Sequence, residues 1–468
     1  MNRFNKITPA ITEAFRKILG AEQVLGDKDN LLNYGHDQTE DLNYPPEIVL
    51  KPGNAEEISA ILKLCNEYRI PVTPRGAGTG LSGAALPVYG GVLLSMERFN
   101  KIIEIDERNL QATVEPGVIN EVFRQAVEAK GLFYPPDPAS KGSCFLGGNI
   151  ALSSGGPKAV KYGTTKEYVL NLEAVLPTGE IIWTGANVLK NSTGFNLTQL
   201  FVGSEGMLGV VTKIVFRLIP LPQKTVVMLV PFASAEKACE AVPAVFKAGI
   251  VPSAMEFMER DAIDWALKYV SGLSMSIPDH VKAHLLIELD GNDLDVLMND
   301  AEQISSIMES FECEEILFAD TEEQKQNLWR MRRCIGEAVK SHSVYKEEDT
   351  VVMRAELPKL LKGVKEIGHK YGFRSVCYGH AGDGNLHVNL IKGDMSDEAW
   401  NNELPKGIRE IFELCKLLGG TISGEHGIGL VQKEYMDIVF SSKLLDLQKQ
   451  IRDVFDPNGI MNPGKMFN

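Results

Sequence analysis

Apolar residues recur at helical spacing directly after Thr8-Pro9. Ile11, Ala14, Phe15, Ile18 and Leu19 share one face, which predicts an amphipathic helix capped by Thr8 with Pro9 in its first turn. From about residue 75 to 210 the pattern becomes short strand-like pieces joined by Gly/Pro/Ser loops: VLLSM (92–96), ATVEPGV (112–118), LEAVLPTGEII (172–182) and LGVVTKIVFRLI (208–219). Helices there are few and short, as over residues 120–130. After Pro220-Leu221-Pro222 the texture changes again. TVVMLV (225–230) precedes a helix near 234–248, and HLLIEL (284–289) precedes one near 294–310. A third unit runs TVVMRAEL, a helix over 358–371, then FRSVCYG and NLHVNLI. This βαβ-like rhythm predicts an α+β sheet with helices on one face. A helical stretch over 441–455 ends at the turn Asp456-Pro457-Asn458-Gly459. The elements divide the chain into a loop-rich ligand domain (1–220), an α+β domain (221–420) and a tail (421–468) returning to the first.

Charge narrows the function classes. The 468 residues are 44% hydrophobic and 24% charged, as in soluble globular proteins, and 62 acidic against 48 basic residues give −14. A nucleic-acid partner would ask for a basic face, so that class is disfavoured. No run reaches the roughly 18 apolar residues of a membrane span. The first twenty residues lack the apolar core of a signal peptide, and a cytoplasmic location is the expectation. The seven cysteines form no C-x-x-C pair, so neither an iron–sulfur signature nor a cysteine zinc site is present; reduced, buried thiols are expected.

The glycines are clustered. Arg75-Gly76-Ala77-Gly78-Thr79-Gly80-Leu81-Ser82-Gly83 contains G-x-G-x-x-G at Gly78, Gly80 and Gly83, but residues 84–91 cannot sustain the helix that a dinucleotide-binding turn requires. A nicotinamide fold is excluded on that context. The loop still gathers backbone N–H groups into a concavity suited to phosphate oxygens, with Arg75, Thr79 and Ser82 as further donors. Residues 142–156, with two Gly-Gly pairs, and 203–209, with glycines three apart, allow close backbone approach to a flat ligand. Together the loops predict a long, thin cofactor threaded between them.

The series PRGAGTGLSGA, PPDPAS, GGNIALSSGG, GSEGMLGV and the terminal NPGK resembles the FAD domain of the vanillyl-alcohol oxidase/p-cresol methylhydroxylase flavoproteins. Within them it most resembles the flavin subunit of glycolate oxidase and the D-lactate and D-2-hydroxyglutarate dehydrogenases. The resemblance implies an α+β protein: a PCMH-type FAD-binding domain (1–220), an α+β, ferredoxin-like substrate-binding cap (221–420) and a C-terminal helical segment (421–468). It implies that Gly76, Ala77, Gly78, Thr79 and Gly80 cradle the pyrophosphate beside Arg75 and Ser82. Ser140, Gly142, Ser143, Gly147, Gly148, Asn149, Gly155 and Gly156 then line the flavin path, closed by Val211 and Asn462. Met207 stands where the family often has Thr and is left out of the site. The 75–83 loop offers no His or Cys for covalent attachment, so noncovalent FAD is expected.

The chemistry-bearing residues lie late in the chain. In His380-Ala381-Gly382-Asp383-Gly384-Asn385-Leu386-His387-Val388-Asn389, a glycine-broken turn enters a strand on which Asn385, His387 and Asn389 share a face. Gly424-Glu425-His426-Gly427 follows. Two imidazoles and a carboxylate suit a metal site with open positions, and equally suit hydrogen-bonded core residues. The resemblance favours the first: His380, His387 and Glu425 map onto ligands of a divalent metal (zinc, with manganese or iron as alternatives), His426 onto the general base and Asn389 onto a substrate contact. In Leu328-Trp329-Arg330-Met331-Arg332-Arg333 the family's L-W-x-x-R pattern makes Arg332 the carboxylate-binding arginine. Gly336 replaces the Thr of the 2-hydroxyglutarate branch, and Lys346 falls out of register with that branch's substrate lysine. Both departures favour a small monocarboxylate.

The expected activity is therefore FAD-dependent oxidation of a small D-2-hydroxy acid, D-lactate or glycolate, to the 2-oxo acid. A D-2-hydroxyglutarate dehydrogenase and a flavin-dependent transferase of the alkyl-dihydroxyacetonephosphate synthase type are the alternatives. With no cluster of its own, the chain needs an electron acceptor: an electron-transfer flavoprotein, an iron–sulfur subunit or a quinone-linked protein. A homodimer is compatible with the sequence.

Overall fold

A computed structural model describes residues 4–273 and 275–467. The chain forms two compact units: Met1–Gly155, Thr164–Leu221 and Glu425–Asn468 make the first, Gly156–Gly163 and Pro222–Gly424 the second. Residues 156–163, placed in the first domain by sequence, thus group with the second.

In the first unit, Ile48–Leu50, Val92–Ser95 and Val72–Arg75 form a parallel sheet, extended by Val24–Leu25. The helix Pro9–Leu19 buries Ile11, Phe15 and Leu19, and Thr8 accepts from the N–H of Ile11 as its cap. Together with the helix Ala55–Tyr68 it closes an apolar core over this sheet. A second, antiparallel sheet runs in the order Ile102–Asp106, Gln111–Val114, Val210–Arg217, Val169–Val175, Ile181–Trp183. The glycine loop leaves the carboxyl end of Val72–Arg75, where open parallel sheets leave room for ligands. No helix opens after Gly83. Met461, in the tail, pairs with Val72, and the N–H of Asn462 donates to the Val72 carbonyl at 2.7 Å.

The second unit is one seven-stranded sheet in the order Leu317–Phe318, Lys224–Phe232, Ala283–Gly291, Ala254–Glu259, Arg374–His380, Asn385–Ile391, Tyr345–Val351. Every pairing is antiparallel, so the βαβ-like rhythm does not produce parallel neighbours. Helices also cover both faces rather than one. Arg260–Tyr269, Glu322–Arg333 and Ile335–His342 pack on Val227, Leu286, Met258 and Val376. Residues of opposite parity, such as Met228, Ile287 and Phe257, meet Ala235–Lys247, Leu294–Ser310 and Leu357–Tyr371. Strands apolar on both sides demand this double cover. All seven cysteines are free, five of them buried. Among the described residues no helix is long and apolar enough to cross a membrane.

Candidate active site

In the first unit the glycine loops form a cradle. A side chain on Gly76 would reach 3.7 Å from the N of Gly148, so the 76–83 and 142–149 loops run side by side. At Gly80, Gly142 and Gly148 nothing lies within 4 Å of where a Cβ would stand, leaving the space a flat ligand needs. Gly147 is held from behind, its N–H donating to the Pro116 carbonyl at 2.7 Å. Ser140 closes a turn by accepting from the N–H groups of Ser143 and Cys144, and buried Asn149 donates to Asn120 at 3.3 Å. Ala77 and Thr79 are half-buried on the loop, and Val211 sits on Val210–Arg217 opposite Ala174. The Ser82 hydroxyl is buried without a partner among the described residues, as a ligand-directed donor would be.

Two of the expected cofactor residues also bond protein carbonyls. Arg75 donates to the carbonyl of His36 at 2.8 Å and lies over the Tyr34 ring. Gly78, at φ +72°, leaves room for that guanidinium, since a Cβ there would stand 2.2 Å from its Nη2. Asn462 donates to the carbonyls of Ala84 and Glu205 at 2.9 and 2.8 Å. These two residues shape the loops.

Glu425 and His426 open the last segment of the first unit. The Glu425 carboxylate lies against Gly155, 2.9 Å from where a Cβ would be. Beyond His426 the loop is fixed by a residue that sequence reasoning missed. Glu205 accepts the N–H groups of Ile428 and Gly429 at 2.7 and 2.8 Å. Burial pushes its carboxyl up to about 7 against the opposing pull of those two N–H groups.

In the second unit the strand pair Arg374–His380 and Asn385–Ile391 sets Tyr378 opposite His387 and His380 opposite Asn385, all on one face. The His380 and His387 rings are 5.3 Å apart, both nearly buried. Asn385 is a brace, donating to Asp349 at 2.7 Å and to the Thr350 carbonyl at 2.9 Å. Asp349 in turn accepts from the Ser423 hydroxyl and the Gly424 N–H at 2.9 and 2.7 Å. Asn389 is wholly buried, and neither amide atom has a partner among the described residues. Arg332 lies over the Tyr378 ring at 5.0 Å, its Nε likewise unpartnered. Such orphaned donors mark a volume shaped for a polar ligand.

Joining this cluster is Glu256, a fully buried carboxylate that no motif announced. Its oxygens lie 2.8 and 2.9 Å from Nδ1 of His380, and one lies 2.6 Å from Nη2 of Arg332. Burial works to raise the Glu256 carboxyl, but the charges of His380 and Arg332 outweigh it and hold it below the ordinary value. With Nδ1 of His380 so engaged, Nε2 is the nitrogen left to bind an ion. Glu347 approaches Nδ1 of His387 at 3.2 Å. Imidazoles in this environment suit a borderline divalent cation.

Comparison with known proteins gives the family. The family described as FAD linked oxidases, C-terminal domain, matches residues 221–466, and FAD binding domain matches 46–185. Glycolate oxidase subunit GlcD of Bacillus subtilis (strain 168) is 38% identical over 464 residues, 98% of this chain and 97% of that one. D-lactate dehydrogenase of Anaerostipes hadrus is 36% identical over 471 residues, 99% and 98% of the two chains. D-2-hydroxyglutarate dehydrogenase of Stutzerimonas stutzeri (strain A1501) is 32% identical over 473 residues, 98% and 99% of the two. In solved structures the fold is shared with p-cresol methylhydroxylase with substrate bound, at TM-score 0.77 and 20% identity over 97% of this chain and 96% of that one. Matched along nearly its whole length, with a PCMH-type FAD-binding fold ahead of its antiparallel sheet unit, this chain belongs to the FAD-linked oxidases and is an FAD-linked oxidoreductase.

Proposed function

We propose that the protein oxidises a small D-2-hydroxy acid, D-lactate or glycolate, to the 2-oxo acid in the cytoplasm. The observation that carries this reading is the pair of buried, unpartnered groups, Nε of Arg332 and the Asn389 amide, in the unit that also supplies His380 and His387. Arg332 holds the carboxylate through its planar fork, and Asn389 completes the binding of the acid. His426 takes the hydroxyl proton, a role suited to a neutral imidazole near pH 7. FAD, held noncovalently, supplies the acceptor for the α-hydrogen and its two electrons. His380, His387 and Glu425 hold a divalent metal, zinc in the first place, and such an ion lowers the pKa of a bound hydroxyl. The electrons pass to a partner protein: an electron-transfer flavoprotein, an iron–sulfur subunit or a quinone-linked protein.

Tyr378 supports the choice of a small acid. Its hydroxyl stands 3.3 Å from where a Cβ on Gly336 would be, so it fills the space that a larger residue at 336 would claim. A compact acid fits this better than a dicarboxylate, and relatives named for glycolate and D-lactate support the choice.

The test is anaerobic bleaching of the purified yellow protein by D- and L-2-hydroxy acids. D-lactate or glycolate should bleach the flavin fastest, while His426→Ala should stay yellow and unbleached. Equal bleaching by the variant removes His426 from the chemistry, and preference for D-2-hydroxyglutarate overturns the substrate assignment.

A further inference from the structure

We infer that Glu256 is a positioning residue that sets the substrate anchor and a metal-binding imidazole together, fixing both Arg332 and the tautomer of His380. This deepens the proposed function and rests on the roles given there to Arg332 and His380.

Glu256 lies on Ala254–Glu259, a strand buried on both faces, between Ala254 and Met258, which are core residues packed under the helices. A wholly buried carboxylate at a core position is costly unless its charge is matched and its oxygens are engaged. Here both conditions hold, with Arg332 at 2.6 Å and His380 at 2.8 and 2.9 Å. Shape alone would be met by an apolar residue; the charge is what Arg332 and His380 require.

Two consequences follow for the neighbours. A carboxylate facing Nδ1 of His380 selects the Nδ1–H tautomer, which leaves the Nε2 lone pair for an ion and raises its basicity. On Arg332, Glu256 forms an ion pair with Nη2 at 2.6 Å, while Nε and Nη2 have no hydrogen-bond partner among the described residues. The guanidinium is thereby held with one edge committed and donors to spare for the acid. Tyr378 supports it from beneath at 5.0 Å. Glu256 touches neither substrate nor flavin in this account; it acts through the two residues it orients.

Glu256→Gln separates this from a general packing role. The amide removes the charge that faces both neighbours and puts an NH2 in place of one of the two oxygens at Nδ1 of His380. Relative to the parent, zinc affinity, read by competition with a chromophoric chelator, should fall 10- to 100-fold. KM for the acid should rise about tenfold or more as Arg332 loses its orientation. FAD content serves as the control and should stay near the parent's. Unchanged zinc affinity together with unchanged KM overturns the inference. If the wild type itself binds no zinc, the metal assignment under the proposed function fails, and KM with the His380 tautomer alone decides on Glu256. That tautomer is read in the wild-type holoprotein from histidine ring 15N shifts, so the inference survives a variant that does not fold. A protonated Nδ1 supports it, and the Nε2–H tautomer refutes it.

Discussion

Replacing Glu205 by Gln should change stability with opposite sign at low and high pH. Glu205 is 4% exposed, and its carboxyl rises from 4.5 to about 7, chiefly through burial, with the N–H groups of Ile428 and Gly429 and the Lys465 charge pulling the other way. A folded pKa above the unfolded one means stability that is complete below about 4.5 and is lost as pH rises through 7. The gap of about 2.5 units corresponds to about 3 kcal/mol in all, of which about 2 kcal/mol falls between pH 5 and pH 7.5. Gln carries no charge and does not titrate, but it offers one oxygen to two N–H donors, at a cost of about 1–2 kcal/mol at every pH. The variant should therefore be less stable than the parent at pH 5 and as stable or more stable at pH 7.5. Urea midpoints of the two holoproteins, followed by tryptophan and flavin fluorescence, measure the difference. Groups that do not act on Glu205 cancel, including Asp290, lowered because its lysine partners outweigh burial; Lys465, brought down to about 8 by burial against the upward pull of Glu205, does not, and its titration is followed beside that of Glu205. A constant difference across this range, or one that grows with pH, would show that Glu205 is not the buried, late-titrating group described here.

Two further substitutions probe the second unit. Asn389→Leu removes a wholly buried amide with no partner among the described residues, so melting temperature should hold or rise while KM for the acid climbs about tenfold; lost stability with unchanged KM would make Asn389 a structural residue. Lys158→Met removes the cation that pairs with Glu288 and sits 3.4 Å from Asp290, carboxylates with side chains 8% and 3% exposed. Asp290 keeps Lys161 at 2.7 Å, so Glu288 is the charge left without its cation, and it should cost about 3 kcal/mol at neutral pH and less in acid, where protonation relieves it. A melting curve equal to the parent's would contradict that burial.

What the sequence made legible, and what it hid, divides by range. Helices with local caps (Thr8 on Ile11, Ser441 on Leu444) and strands with unbroken apolar runs, such as 226–230 in Lys224–Phe232, carry their signal within a dozen residues. The register that brings His387 and Asn389 to one face is a period-two property and was equally readable. Pairing direction and helix side are not local. The same alternation of strands and helices serves a parallel sheet or this antiparallel one, and nothing in a strand states which helix will cover which face. Glu256 shows why the site was only half visible: it breaks the apolar run of SAMEFME, concealing the strand Ala254–Glu259, and its partner His380 lies 124 residues away. Glu205 meets Ile428 across 223 residues, inside a motif read only for its glycines. Yet each carried a faint signal. An ionisable residue flanked by apolar neighbours is either at the surface or paired, because burying it alone costs more than a fold can spare. A glutamate between Met255 and Phe257 therefore predicts a cation somewhere else in the chain, and two of the strongest candidates, Arg332 and His380, were already in the sequence-derived site.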